Sequence, residues 1–266
     1  MAEKESPNAP KTIVEAVPEE VANLEKDPKV KEQLEEIARV SETRQEREQR
    51  EYQEALVSWV PKTALGKAVK AKKETDLDNI LENGKKILEP EIVDLLIKLE
   101  SDLLLIGQAK GKFGGGKRRA WRQTQKKTQE GNILTFSSMA VVGDKNGHVG
   151  IGYGKAKETL PAREKALRNA KLNIIKVNLG FESPESESEK SVPHTIPFKV
   201  QGKEGSVTIT LLPAPRGTGL VVADQVKKIL TLAGIKDAYG ITRGKTRTTF
   251  NLAKACINAL NKTYLI

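Results

Sequence analysis

The chain has 266 residues, of which 38% are hydrophobic, 4% aromatic and 30% charged, so it has room for one or two domains while part of it is expected to stay unpacked. The 45 Lys and Arg exceed the 35 Asp and Glu, and the net charge of +10 favours an anionic partner. The single cysteine, Cys256, excludes an internal disulfide and a cysteine-based zinc site, and it is expected as a small buried residue on a helix. No apolar run approaches the roughly 18–20 residues that span a membrane, so we expect an intracellular soluble chain.

The first hundred residues are poor in large apolar side chains. Residues 1–52 are dominated by Glu, Lys, Arg, Gln and Pro, which predicts a disordered charged tail. Residues 53–100 show short helical patterns, in which Asn83–Gly84 ends one helix and Pro90 begins the next. They are predicted to form a helical extension that packs on the domain after it.

Residues 101–179 carry a strand pattern, a glycine-rich basic segment and two further strand patterns around a turn at Asp144–Gly147. A helix with Thr159 as its N-cap follows. The basic segment has no amphipathic pattern and is predicted as a loop. The order strand, loop, strand, strand, helix predicts a two-layer α+β unit whose helix covers one face of the sheet.

The rest of the chain predicts a second α+β unit. Residues 180–193 are rich in Ser and Glu and are predicted to form a linker. Residues 194–266 then give two strands around a turn at Lys203–Gly205, a helix that ends at Gly234, a short strand and a closing helix. The predicted order of this C-terminal domain is β-β-α-β-α.

Two glycine-rich motifs raise the possibility of nucleotide binding. Gly111 and Gly116–Lys117 match the G-x-x-x-x-G-K part of a phosphate loop, but Arg118 stands where Ser or Thr must ligate Mg²⁺. Residues 150–155, GIGYGK, space as G-x-G-x-G and are better explained by close backbone approach or strand curvature. A P-loop-like nucleotide-binding enzyme stays an alternative, although no catalytic residues, metal ligands or cofactor motif stand out.

The basic residues favour RNA as the anionic partner. Glycines let the backbone follow phosphates, and Trp121 among basic side chains suits stacking on a base or ribose. Further basic side chains lie on the following helix and in two turns of the C-terminal domain, and a solvated basic loop or a sorting signal is the alternative. The candidate RNA-binding residues are Lys110, Lys112, Lys117, Arg118, Arg119, Trp121, Arg122, Lys126, Lys127, Lys155, Lys157, Arg163, Arg216, Lys245 and Arg247.

Several segments, in order, resemble the family of the fifth small-subunit ribosomal protein in its archaeal and eukaryotic form. They are KFGGGKRRAWRQTQKK, FSSMAVVGDKNGHVGIGYGKAKE, HTIPFKV, PAPRGTGLV and GKTRTTFNLAKA, and the similarity covers roughly residues 55–262. The resemblance implies a first domain similar to a double-stranded-RNA-binding fold, followed by an α/β domain. It also implies a non-enzymatic constituent of the cytoplasmic ribosome.

The resemblance further implies a place in the ribosome. The protein is expected to bind small-subunit rRNA near the decoding and mRNA-entry region and to support assembly and translational accuracy. Its expected partners are ribosomal proteins four and eight of the small subunit and the mRNA near the entry channel. No contact with a membrane is expected. A free double-stranded-RNA-binding regulator is the remaining alternative.

Overall fold

The structure is a computed structural model, and it describes residues 50, 52–54, 56–108, 118–182 and 192–264. The chain divides into two compact units, Met1–Trp59 and Val60–Ile266. In the first unit, the described residues include an ion pair between Arg50 Nε and Glu54 Oε1 at 3.5 Å. The tail predicted over residues 1–52 lies almost wholly outside the described residues. So do three of the predicted RNA-binding residues, Lys110, Lys112 and Lys117.

Three short helices begin the second unit: α1 (Ala64–Lys70), α2 (Leu77–Glu82) and α3 (Pro90–Leu96). Thr63 caps α1, because its Oγ1 accepts a hydrogen bond from the N–H of Gly66 at 3.0 Å. As predicted, α2 ends at Asn83 with Gly84 at φ +65°, and Pro90 lies in the first turn of α3. Leu77 and Ile80 of α2 and Ile92 and Val93 of α3 are buried, so these helices pack with one face against the rest of the unit.

The first sheet has five strands: β1 (Glu100–Leu103), β2 (Trp121–Thr128), β3 (Gly131–Gly143), β4 (His148–Ala156) and β5 (Ile174–Lys176). All pairings are antiparallel, and β3 is central. Along one edge of β3 lie β2 and then β1; along its other edge lies β4, with β5 beyond it. The predicted turn at Asp144–Gly147 joins β3 to β4, which is confirmed.

Two features of this sheet correct the prediction. The basic segment was predicted as a loop, but Trp121–Thr128 forms a strand that pairs over its whole length with β3. After Trp121, all side chains of β2 are polar, so no alternation of apolar and polar residues marks it in the sequence. The helical pattern of residues 159–177 also includes Ile174–Lys176, but these three residues form β5 and pair with β4.

The helix α4 (Thr159–Leu172) packs on β4 through a stripe of glycines. A Cβ placed on Gly150, Gly152 or Gly154 lies 2.2–2.3 Å from a backbone carbonyl oxygen of α4. The G-x-G-x-G spacing therefore serves close approach of helix and strand, which confirms that interpretation of residues 150–155. The N-cap of α4 is Glu158 rather than the predicted Thr159, and its side chain makes no capping hydrogen bond.

The second sheet contains β6 (Val200–Glu204), β7 (Val207–Pro213), β8 (Leu220–Val221) and β9 (Ala238–Arg243) in the order β6-β7-β9-β8. Two helices accompany it, α5 (Asp224–Ala233) and α6 (Thr249–Leu260). The predicted β-β-α-β-α order lacks β8, whose two residues pair in parallel with β9. The pattern of residues 219–235 predicts one helix that includes this segment, and tertiary pairing with β9 overrides that pattern. The strand β6 extends to Glu204, so the hairpin loop is Gly205–Ser206 rather than Lys203–Gly205.

The closing elements otherwise match the prediction. Gly234, at φ +91°, ends α5 in a left-handed cap. Cys256 is fully buried on α6, and burial raises the pKa of its thiol to about 12. This cysteine is a core residue, as expected.

The two sheets share one hydrophobic core. Met139 and Val141 of β3 belong to the same buried cluster as Val226 and Ile229 of α5. The β3–β4 turn also caps the end of α5: the N–H of Lys145 donates to Leu232 O at 2.9 Å, and the N–H of Gly147 donates to Ala233 O at 3.1 Å. Apolar burial and backbone hydrogen bonds therefore hold the two sheets in fixed relation.

A histidine fastens α2 to the first sheet. His148 Nδ1 lies 2.6 Å from Asp144 Oδ2, and His148 Nε2 lies 2.6 Å from Asp78 Oδ1 on α2. Burial alone lowers the pKa of His148, but hydrogen bonds and charges from Asp144 and Asp78 outweigh it and raise that pKa above 6.5. Both carboxylates accept, so an imidazolium that donates from both nitrogens satisfies the arrangement.

Candidate nucleic-acid interface

The strands β2 and β3 form an arm that extends past the rest of the first sheet. β2 pairs with residues 131–138 of β3, whereas β4 pairs only from Phe136 onwards. Residues 131–135 therefore pair with β2 alone. Thr124 and Thr135 face each other across the arm with their hydroxyls 2.7 Å apart, and the side chains from Arg122 to Lys127 are exposed.

The strand register divides the basic residues of the arm between two faces. Directly opposed residues share a face, and successive residues alternate. Arg122 and Lys155 both oppose Ser137, so they lie on one face, roughly 10 Å apart by the spacing of strands. Lys126 lies on the same face as Arg122. Trp121 and Lys127 lie on the other face, the one that α4 covers further along the sheet.

Arg119 and Trp121 form a pair at the base of the arm. The Arg119 guanidinium carbon lies 5.6 Å from the centre of the Trp121 ring, within the range of cation–π attraction. The N–H of Gly107 donates to Arg119 O at 2.9 Å and fixes the backbone there. A cleft of about 340 Å³ opens beside this pair, and its other lining residues are Gln108, Arg122, Gln123, Thr124 and Gln125.

The predicted basic residues that the structure describes are exposed and uncompensated. None of them makes an ion pair with another described residue, whereas Lys145 and Lys176 pair with carboxylates at 2.6 and 3.0 Å. The uncompensated residues are Arg118, Arg119, Arg122, Lys126, Lys127, Lys155, Lys157, Arg163, Arg216, Lys245 and Arg247. Their positive charge is therefore directed to solvent or to an anionic partner.

The basic residues of the second sheet do not form one patch. Arg216 follows the end of β7 that pairs with Ala238, and its Nη2 donates to Val192 O at 3.3 Å. Lys245 and Arg247 follow the opposite end, where Arg243 pairs with Thr208. By the length of the paired strands, the strand ends that these two sites follow are separated by about 17 Å.

The second of these sites, Lys245 and Arg247, lies near the basic residues of the first sheet. Phe250, near the start of α6, meets Tyr153 of β4 edge to face, with the ring centres 5.2 Å apart. Tyr153 and Lys155 lie on one face of β4, two residues apart. The start of α6, directly after Lys245 and Arg247, therefore lies over the face that carries Arg122 and Lys155.

The structure argues against a phosphate loop. Gly111, Gly116 and Lys117 themselves lie outside the described residues, but the first regular element after them is β2. A phosphate loop continues into a helix whose N-terminus faces the phosphates. Within the described part of the chain, no group of three or more His, Cys, Asp or Glu side chains could hold a metal ion. The helices there are also too short or too polar to cross a membrane.

The sequence prediction missed the glutamines of the cleft. Trp121, Gln123 and Gln125 alternate along β2, so period-two spacing was the signal that placed them on one face. Because no apolar residue follows Trp121 in this spacing, the sequence alone predicts a loop there. Gln108 has no comparable signal, since only the folded chain brings it beside β2.

These features define a class: an α+β protein with uncompensated basic residues on an exposed arm, suited to RNA. Residues 120–178 match the model of the N-terminal domain of ribosomal protein S5, and residues 202–266 match that of its C-terminal domain. The chain is 48% identical to the small ribosomal subunit protein uS5 of Nanoarchaeum equitans, over 77% of this chain and 87% of the relative. It is 47% identical to that of Staphylothermus marinus, over 80% of this chain and 92% of the relative.

This chain belongs to the ribosomal protein S5 family. The predicted family is thereby confirmed. Since this is a family of structural ribosomal proteins, the prediction that the chain is not an enzyme is confirmed as well.

Proposed function

We propose that this protein is a structural constituent of the small subunit of the cytoplasmic ribosome and binds rRNA near the decoding and mRNA-entry region. The observation that carries the proposal is the set of uncompensated basic residues on the β2–β3 arm, in a chain of the S5 family. Exposed Arg and Lys bind RNA by neutralising phosphates and releasing their counterions. Ribosomal proteins four and eight and the mRNA are its proposed neighbours.

The mechanism depends on how the basic residues are supported. Arg122, Lys155 and the Lys245–Arg247 turn occupy one face of a unit whose two sheets share a core. RNA segments that bind this face are held in fixed relation, because moving one contact relative to another disturbs that core. Support of subunit assembly and of translational accuracy follows from such rigid placement.

The fold supports a finer proposal about the domains. An antiparallel sheet covered on one face by α4 suits a double-stranded-RNA-binding-like domain over residues 101–179. The C-terminal α/β domain spans 194–266, after a linker at 180–193. The two matched regions, 120–178 and 202–266, fall inside these boundaries.

Sedimentation of the native protein through a sucrose gradient tests the proposed role. The protein is expected to travel with small subunits and to stay with them at moderate salt. A free double-stranded-RNA-binding regulator remains near the top of the gradient, and its presence there would overturn the proposal.

A further inference from the structure

The cleft at the base of the arm differs chemically from the basic surface around it. It runs along the outer edge of β2, because five consecutive residues of that strand line it, from Trp121 to Gln125. Among the described lining residues, none is acidic. Its volume of about 340 Å³ falls within the ~300–1,000 Å³ of small-molecule sites.

Three amide side chains line this cleft. Gln123 and Gln125 share a face with Trp121. Gln108 directly follows Gly107, whose N–H donates to Arg119 O, so the backbone beside Gln108 is held near Arg119. None of the three amides makes a side-chain hydrogen bond with another described residue. Each amide offers donors and an acceptor, the complement of a nucleobase edge.

The Arg119–Trp121 pair supplies the flat surface. Aromatic rings and guanidinium planes are the groups on which proteins stack unpaired RNA bases. A pair of this kind beside three amides is more than phosphate neutralisation requires, since lysine or arginine alone serves that purpose.

We infer that this cleft holds one unpaired nucleobase of the rRNA, stacked against the Arg119–Trp121 pair and hydrogen-bonded by the glutamine amides. The inference rests on the proposed function, because it names how RNA is bound at part of the same surface. An extended peptide added to the outer edge of β2 is less suited, since the cleft offers amides and guanidiniums rather than apolar pockets for alternate side chains.

Fluorescence tests the inference directly. The chain has two tryptophans, so a full-length Trp59→Phe variant leaves Trp121 as the only reporter. The probes are single-stranded homopolymer ribo-oligonucleotides of equal length and an abasic oligonucleotide with the same number of phosphates. We expect base-containing probes to quench Trp121 and to bind more tightly than the abasic probe.

Variants assign the effect to the cleft. In the parent, Trp121→Ala is expected to weaken base-containing probes about five- to 150-fold, the range for one lost stacking contact, and to leave abasic binding unchanged. Trp121→Phe keeps a ring and is expected to restore most of the affinity. Gln123→Met keeps the side-chain length without hydrogen bonds, and it is expected to narrow the affinity differences among the four homopolymers. Tyr239→Ala removes an exposed aromatic on β9 and serves as the control.

The outcomes separate the inference from the proposed function. Salt-sensitive binding of all probes alike, with no quenching, would overturn the base site and leave rRNA binding standing. Absence of binding by every probe and by small-subunit rRNA would overturn both. Quenching by an unrelated extended peptide, but not by RNA, would reassign the cleft to a protein partner.

Discussion

At the residue scale, some positions accept only glycine, because any larger side chain would collide with backbone atoms. The glycine at position 152 is one, because a Cβ there meets Ala166 O and Ala170 N at 2.2 Å, and both are backbone atoms. The spacing of these glycines could be read from the sequence, and so could the close approach that it serves. The identity of the approaching partner could not, since it depends on how α4 crosses the sheet.

Gly152→Ala is accordingly expected to destabilise the fold by about 3 kcal/mol, the upper end of the usual cost of overpacking, since neither helix nor strand backbone can move aside locally. Gly84→Ala is the control: nothing lies within 4 Å of its Cβ, and only the positive φ opposes it. Its cost is expected at about 1–2 kcal/mol. Urea unfolding of both variants measures the difference, and equal losses would contradict the packing argument.

The contacts of His148 with Asp78 and Asp144 predict that the stability of the fold depends on pH. The pKa of His148 is raised above 6.5, so its contribution is complete below about pH 6.5 and is lost as the pH rises through the folded-state pKa. Burial opposes the shifts of Asp78 and Asp144, but hydrogen bonds from Lys176 and His148 lower the pKa of Asp78, and His148 and backbone N–H groups lower that of Asp144. Their contribution is present above about pH 3.8 and is lost as the pH falls.

His148→Gln should therefore reduce stability more at pH 5.5 than at pH 8.5. The measurement is the urea midpoint of parent and variant across that range, together with amide exchange in α2. The groups that face the imidazole are Asp78 from α2 and Asp144 from the turn, with Lys176 and Glu82 beyond Asp78. A constant difference between parent and variant at all pH values would show that the ring acts only by its shape.

At the scale of elements, the sequence predicts the helices and strands that carry an apolar pattern and the turns set by local backbone chemistry. It does not predict strands that form only by pairing with a neighbouring strand. Turns at Asp144–Gly147 and Asn83–Gly84 and the cap at Gly234 follow from local backbone chemistry, and all three are present. The strand β2 is held by its hydrogen bonds to β3 and buries little, so no hydrophobic alternation announces it. The strand β8 differs for another reason: its residues, Leu220 and Val221, are apolar and continue the helical pattern of α5, but they pair with β9 and form a strand.

Shortening the arm separates its binding role from its structural role. Replacing residues 124–135 by Asn-Gly joins Gln123 to Phe136, which are register partners, through a two-residue hairpin turn. Thermal stability is expected to change little, because the removed residues are exposed or only partly buried. Affinity for small-subunit rRNA is expected to fall, with the salt slope reduced by about two through loss of Lys126 and Lys127. A large drop in melting temperature with unchanged RNA affinity would contradict this division of roles.

At the scale of the molecule, Val60–Ile266 is one compact unit although two family models cover it. The shared core and the turn that caps α5 couple the two sheets. Salt bridges support this coupling, such as Lys228 Nζ to Asp102 Oδ2 at 2.8 Å. The sequence predicts two successive units and a linker, but a core between them depends on long-range contacts that no local pattern records.

This coupling predicts cooperative unfolding. In the Trp59→Phe background, Trp121 fluorescence reports on the first sheet, and far-ultraviolet circular dichroism reports on both sheets. The two urea transitions are expected to coincide. Gly234→Ala, which places a Cβ 2.3 Å from Lys145 O, should shift both transitions together. Two separate transitions would show that the sheets unfold independently.

The central claim, that the arm and its base bind rRNA through uncompensated charges, is tested most directly by salt dependence. With full-length protein and small-subunit rRNA, the slope of log K against log salt concentration counts released counterions. Replacing Arg118, Arg119 and Arg122 together by Ala is expected to flatten that slope by about two to three units and to weaken binding. Replacing Lys85, Lys145 and Lys254, which pair with Glu74, Glu100 and Glu204, is expected to leave the slope nearly unchanged. If the arginine variant keeps the parent's affinity and slope, the arm is only a solvated surface and the RNA-binding face lies elsewhere.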